Sequence, residues 1–166
     1  MKIACPLQAN QIKIRTLEPQ HNEQIAALIR SVLKSYGLDL PGTAYFDPEL
    51  SNLSAYYEQE GAAYFVMVNA ANQVMGGVGI APFKDNVCEL QKLYLHEGCR
   101  RQGLGELLLR RALVFARKHY ESIYLETHST LKEAIPLYEK LGFRYLEAPL
   151  EGSFHSTMDI WMQKNF

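Results

Sequence analysis

The chain lacks the features that define several large protein classes. It has only three cysteines, Cys5, Cys88 and Cys99, widely spaced and in no Cys-x-x-Cys or Cys/His ligand pattern. Neither a disulfide scaffold nor a thiolate metal site is therefore expected, and the three read as reduced thiols of a cytoplasmic protein. Apolar runs are short and interrupted, which leaves no candidate for a membrane-spanning helix. The first residues, MKIACPLQANQ, contain no apolar stretch of the kind a secretory signal needs. An excess of either charge is also missing: 17 Lys and Arg face 18 Asp and Glu, a net charge of −1. Without a basic surplus there is little to neutralise a phosphate backbone, so the expectation is no nucleic acid and no membrane among the partners. The sequence has no internal repeat and no low-complexity segment.

What remains is an ordinary globular composition, 48% hydrophobic over 166 residues. This reads as one domain, 1–166, with a core over about residues 12–164 and about 70% of the unfolded surface buried. Residues 1–11 read as a loose terminus. Ile12 and Ile14 alternate with Lys13 and Arg15 as a first short strand. Pro19 opens a helix with Ile25, Leu28, Ile29, Val32, Leu33 and Tyr36 on one face, and Gly37 ends it. A connection with Tyr45, Phe46, Asp47 and Glu49 leads to a short helix over 48–59. Such a segment either lines a site or is a loop anchored by its two aromatics. Residues 63–68 and 74–80 read as a hairpin, and Gly76, Gly77 and Gly79 mark a bulge or a close approach by another group. A strand over 123–127 precedes a helix with capping-box spacing at Thr130 and Glu133. Residues 143–146 and 157–162 close the chain as strands. The order β α α β β β α β α β β predicts a mixed α/β sandwich, with about four helices covering a central sheet that is parallel in part.

The stretch from Val87 to Tyr120 carries the most information. Val87–Leu95 has a period-2 component and reads as a strand. From Leu104 the period changes: Leu104, Leu107, Leu108, Ala112 and Phe115 share a helical face, and Arg117, Lys118 and His119 occupy the last turn, where cations suit the helix dipole. Between them lies Arg100-Arg101-Gln102-Gly103-Leu104-Gly105. The first N–H groups of a helix have no partner within it, and glycines let a ligand approach that backbone closely. The turn is therefore a ready-made anion site. A negative charge there gains roughly 0.3–1 kcal/mol from the dipole, and Arg100 or Arg101 adds a charge-assisted contact. Many helices begin with glycine and bind nothing, so this turn alone defines no function. A dinucleotide fingerprint would need a further glycine where Leu108 stands, and the early βαβ start is missing.

Downstream comes PLYEKLGFRYLE, from Pro136 to Glu147. Together, ELQKLYL…RRQGLG and LYEKLGF, in this order on a β/α background, resemble the GNAT superfamily of acetyl-CoA-dependent N-acetyltransferases. The likeness is strongest from Glu89 to Phe143. It implies a mostly antiparallel sheet whose parallel pair splays apart, with acetyl-CoA as cosubstrate and no metal. The cofactor pyrophosphate would rest on the backbone of Arg101, Gln102, Gly103, Leu104, Gly105 and Glu106, beside Arg100. The pantetheine arm would run along Leu93, Tyr94 and Leu95. A backbone N–H near Leu93 would then act as an oxyanion donor, worth roughly 3–4 kcal/mol where measured elsewhere. Tyr138 matches the family tyrosine that protonates the departing CoA thiolate; a tyrosine simply packed on an amphipathic face is the alternative. The sequence departs from the family at Leu131, where many members carry an asparagine. Pro136 is tolerated only in a first helical turn, so the last helix starts late or kinks.

An alkylammonium must lose a proton before it attacks. Glu89 is the first candidate base, a carboxylate in an apolar strand whose burial would raise its pKa. An ordinary strand glutamate facing solvent is the alternative, and Glu126, His155 or water are other routes for the proton. The acceptor, an amine of a small molecule or peptide, would be selected by residues 36–49 and 150–157, with Asp47, Glu49 and Glu151 attracting a cation. A homodimer through a sheet edge or helix face is compatible with the resemblance. The same fold used as a non-catalytic acyl-CoA-binding or sensing module is the competing function.

Overall fold

The computed structural model describes residues 11–166; Cys5 and nearly all of the terminus expected to be loose lie outside them. Among the described residues, seven strands make one sheet in the order β1-β2-β3-β4-β5-β7-β6. β1 (Lys13–Thr16), β2 (Ala63–Val68), β3 (Val74–Lys84) and β4 (Val87–Leu95) pair antiparallel in sequence. β5 (Ser122–Thr127) lies parallel to β4, as a helical crossover between neighbours requires. β7 (Ile160–Asn165) then pairs antiparallel with β5, and β6 (Arg144–Leu146) with β7. The strand and helix order matches the sequence pattern element by element.

Two apolar layers sandwich the sheet. On one face, α1 (Asn22–Ser35) and the single-turn α2 (Leu53–Tyr56) bury Ile25, Ile29, Leu33 and Leu53 against Tyr64 and Val66 of β2. On the other, α3 (Leu104–His119) and α4 (Ala134–Lys140) pack on Met67, Val78, Ile80, Cys88, Leu90 and Ile123. The buried face of α3 is Leu104, Leu108, Leu109, Ala112 and Ala116, so Leu107 is exposed, contrary to the expected stripe.

Several boundaries differ from the sequence reading: β3 runs on to Lys84, Pro19–His21 form a 3-10 turn ahead of α1, and three others have a clear local reason. Residues 48–52 form 3-10 turns, and Asn52 leaves helical geometry (φ −147°, ψ 59°) before α2. β7 starts at Ile160 because Asp159 bridges the turn after β5, accepting from the Ser129 N–H and hydroxyl. The Thr130/Glu133 capping box does not form: Thr130 bonds His128, and Glu133 turns to Arg100 and Arg101. α4 therefore begins late, which places Pro136 in its first turn, where it needs no N–H partner.

Two irregularities of β4 position everything that follows. Gly77 pairs with Tyr94 but Gly79 with Gln91, so Lys92 and Leu93 together oppose Val78. This is a β-bulge, and Lys92 takes the left-handed φ of 51°. Below it, Cys88 and Leu90 join the core under α3. Simple alternation would send Lys92 there too; the bulge swings it to the opposite face, beside Glu89 and Gln91. Gly77 and Gly79 make room for this arrangement. A Cβ on Gly77 would stand 2.5 Å from the Tyr64 ring, and one on Gly79 would stand 2.5 Å from the Tyr57 hydroxyl. The second irregularity is a splay. β4 pairs with β5 only over Val87–Glu89, whereas each continues along its other neighbour.

Candidate active site

The splay opens a cavity of about 290 Å³ that runs from the start of α3, between β4 and β5, to the face covered by α1. Of the cofactor residues expected from sequence, Leu93, Tyr94, Leu95, Arg100, Arg101, Gly103, Gly105 and Glu106 line it. Gln102 and Leu104 contribute no side chain: Gln102 donates to the Gly98 carbonyl at 2.9 Å, and Leu104 is buried in the core. Leu131, the departure from the family pattern, also faces the cavity.

At one end, Arg101 (φ 60°) and Gly103 (φ 76°) are both left-handed, and Gly103 caps α3 without any side-chain acceptor. Space around Gly103 is open, since an added Cβ would meet nothing within 4 Å. The first N–H groups of α3 thus meet the cavity with no acidic cap to satisfy them, which suits a diphosphate. Arg100 is held by four contacts: Nε to the Leu95 carbonyl (3.3 Å), Nη1 to the Tyr36 hydroxyl (3.1 Å), the Tyr36 ring below the guanidinium, and the Glu133 carboxylate at 3.9 Å. Glu106 does not spoil the site, because Lys140 and Arg110 each hold its carboxylate at 2.7 Å. Their hydrogen bonds lower its pKa. In the middle, the unpaired edge of β4 offers backbone donors and acceptors to an extended amide-bearing chain, in the manner of an added strand.

Tyr138 of α4 is buried in the cavity wall with its ring edge-on to Phe143. Burial pushes its phenol well above the usual range, so it stays a neutral donor at any working pH.

The far end holds a polar network on the α1 face. Tyr57 donates to Gln91 (2.8 Å), and Gln91 donates to Glu89 (2.8 Å). Burial raises the Glu89 pKa despite that hydrogen bond. Lys92, its side chain 2% exposed, reaches Asp47 at 2.7 Å and Glu49 at 3.2 Å. Asp47 also takes the Nε2 of His155, at 3.0 Å to one oxygen and 3.1 Å to the other. Glu126 lines the cavity from β5 and accepts from Ser153. The three expected acceptor-attracting carboxylates are therefore placed differently from one another. Asp47 and Glu49 both pair with Lys92, Asp47 also holds the Nε2 of His155, and Glu151 is 92% exposed beside Lys84. Glu89 and Glu126 are the carboxylates that line the cavity without a cationic partner among the described ion pairs. Lys92, Gln91 and Tyr57 were not anticipated. The available signal was a lysine at a strand position whose parity belonged to the core.

This geometry, an anion turn at a helix start feeding a splayed parallel pair, is that of an acyltransferase built around a coenzyme thioester. The model of the acetyltransferase (GNAT) family matches residues 29–143. The chain is 40% identical over 154 residues to the Escherichia coli K12 uncharacterized N-acetyltransferase YjgM, covering 90% of this chain and 92% of that one. In fold it is similar to a GNAT-family acetyltransferase of Staphylococcus aureus, with a TM-score of 0.84, 22% identity and coverage of 93% and 98%. It is also similar to the Salmonella typhimurium acetyltransferase YncA, whose structure holds acetyl-CoA, with a TM-score of 0.72, 22% identity and coverage of 94% of each chain. The chain belongs to the GNAT family and is an acetyl-CoA-dependent N-acetyltransferase.

Proposed function

We propose that the enzyme acetylates a primary amine of a small molecule or peptide by direct attack, with Tyr138 as general acid and Glu89 as general base. The observation that carries this reading is the continuity of one cavity: it joins the α3 turn, the unpaired edge of β4, Tyr138 and Glu89. Acetyl-CoA supplies the acetyl group as an activated thioester. The turn from Arg100 to Glu106 holds its diphosphate, and the edge from Leu93 to Leu95 holds its arm. The N–H near Leu93, freed from sheet pairing, faces the carbonyl on which charge develops. Tyr138 gives its proton to the departing sulfur. Glu89, whose burial makes it a stronger base than an exposed carboxylate, takes a proton from the acceptor ammonium, and the free amine then attacks. With Asp47 and Glu49 engaged by Lys92, the negative charge that draws a cationic amine comes from Glu89 and Glu126. On its sparse cysteine content we place the enzyme in the cytoplasm.

Calorimetric titration with acetyl-CoA, in parallel with Gly103→Glu, tests the cofactor site. Micromolar binding by the wild type and none by the variant is expected. No binding by the wild type would sink the reading. Binding without turnover across a broad amine panel would favour the sensing module instead.

A further inference from the structure

The acceptor side of the cavity holds a second titratable unit that a lone Glu89 does not account for. Asp47 comes from the connection before α2, His155 from the segment between β6 and β7, and Lys92 from the bulge of β4. They are distant in sequence and converge within 2.7–3.1 Å contacts. His155, like Glu89, lines the cavity. We propose that His155 carries the acceptor's proton from Glu89 to solvent, with Asp47 as the residue that orients it and Lys92 as the anchor that fixes Asp47. This rests on the acetyltransferase reading above.

The geometry dictates the tautomer. An ionised carboxylate only accepts, so the Nε2 that lies on Asp47 must carry its hydrogen, and the lone pair of neutral His155 is on Nδ1. Asp47 is ionised: burial opposes its charge, but the His155 hydrogen bond and the Lys92 ammonium outweigh that and lower its pKa. Lys92 in turn remains charged, because Asp47 and Glu49 overcome the effect of its burial. Within this frame one proton moves at a time. The ammonium N–H bond breaks and the proton binds a Glu89 oxygen. It passes to Nδ1 of neutral His155, forming an imidazolium whose Nε2–H remains on Asp47. It then leaves from Nδ1 to water, since the side chain is 22% exposed. Glu89 and His155 are back in their starting states. The charged groups that face His155 are Asp47, Lys92 and Glu89, and each affects its ionisation; Glu126 on β5 acts on Glu89. Burial disfavours the imidazolium, yet Asp47 more than compensates, so its pKa is raised.

Imidazole 1H–15N NMR over a pH series reads His155 directly, with or without acetyl-CoA, and needs no acceptor. The protein has five histidines, and His155→Gln assigns the one that matters. The expected result is an Nε2–H tautomer in the neutral form and a titration midpoint above 6.5. That midpoint should fall by about half a pH unit or more in Glu89→Gln, because a neighbouring negative charge is lost, and it should also fall in Asp47→Asn. An Nδ1–H tautomer, or a midpoint indifferent to Glu89→Gln, would overturn the proposal. The tautomer is read in the wild type, so the test survives a variant that fails to fold. Failure of the acetyltransferase reading would show separately, as absent acetyl-CoA binding by calorimetry.

Discussion

Replacing Lys92 with methionine is the most informative single change, because it separates the acceptor-side network from the fold. Methionine keeps most of the buried stem and removes only the ammonium. Asp47 and Glu49 would then face each other's charge with no ammonium between them, and only Asp47 would keep a partner, the Nε2–H of His155. Removing one partner of a buried ion pair costs about 3–5 kcal/mol. The side chains of Asp47 and Glu49 keep 14% and 22% exposure, so the lower end applies, about 3 kcal/mol. For a chain of this size that corresponds to a fall in Tm of about 6–12 °C. Urea unfolding would show the same loss as a lower midpoint with an unchanged slope. Adding Asp47→Asn and Glu49→Gln to Lys92→Met removes the orphaned charges and should recover more than half of the loss. A single variant within about 0.5 kcal/mol of wild type, the range of an ordinary surface change, would refute the reasoning and mean that water already satisfies the cluster.

Other outcomes follow from the same geometry. Tyr138→Phe should lower kcat by about 10²–10⁴-fold while calorimetry finds acetyl-CoA affinity unchanged; an unaltered kcat under rate-limiting chemistry would remove Tyr138 from the mechanism. Gly79→Ala places a methyl 2.5 Å from the Tyr57 hydroxyl, an overpacking that should cost about 1–3 kcal/mol in thermal unfolding and disturb the Tyr57–Gln91–Glu89 chain. Asp47→Asn should move the acidic limb of the kcat/KM profile to lower pH, since Asp47 is what raises the His155 pKa; a limb that stays in place would detach His155 from the rate. The folded-state pKa of Asp47 lies below its ordinary 3.8, so its stabilising contribution is complete above that value and disappears as pH falls through the folded pKa. The stability gap between wild type and Asp47→Asn should accordingly close in acid.

The parts that were legible in the sequence and the parts that were not differ in the range of the interactions that set them. β4, α1 and the start of α3 follow from local periodicity and glycine placement, and the anion turn from the unpaired N–H groups of any helix start. The Thr130/Glu133 pair had the right local spacing for a cap, yet Arg100 and Arg101, brought in by the tertiary fold, compete for the same glutamate. The acceptor side depends still more on distant partners. Glu89 was legible because a carboxylate among apolar strand residues stands out. Lys92 was not anticipated, since simple strand parity assigns it to the opposite face. Only the bulge, set by a register between β3 and β4 and spaced by Gly77 and Gly79 under two tyrosine rings, reverses that assignment. Once it is reversed, Asp47 and Glu49 become the counterions of a buried lysine. A register shift of one residue thus decides which carboxylates of the cavity carry a cationic partner, and that choice lies in the pairing of two strands rather than in either strand alone.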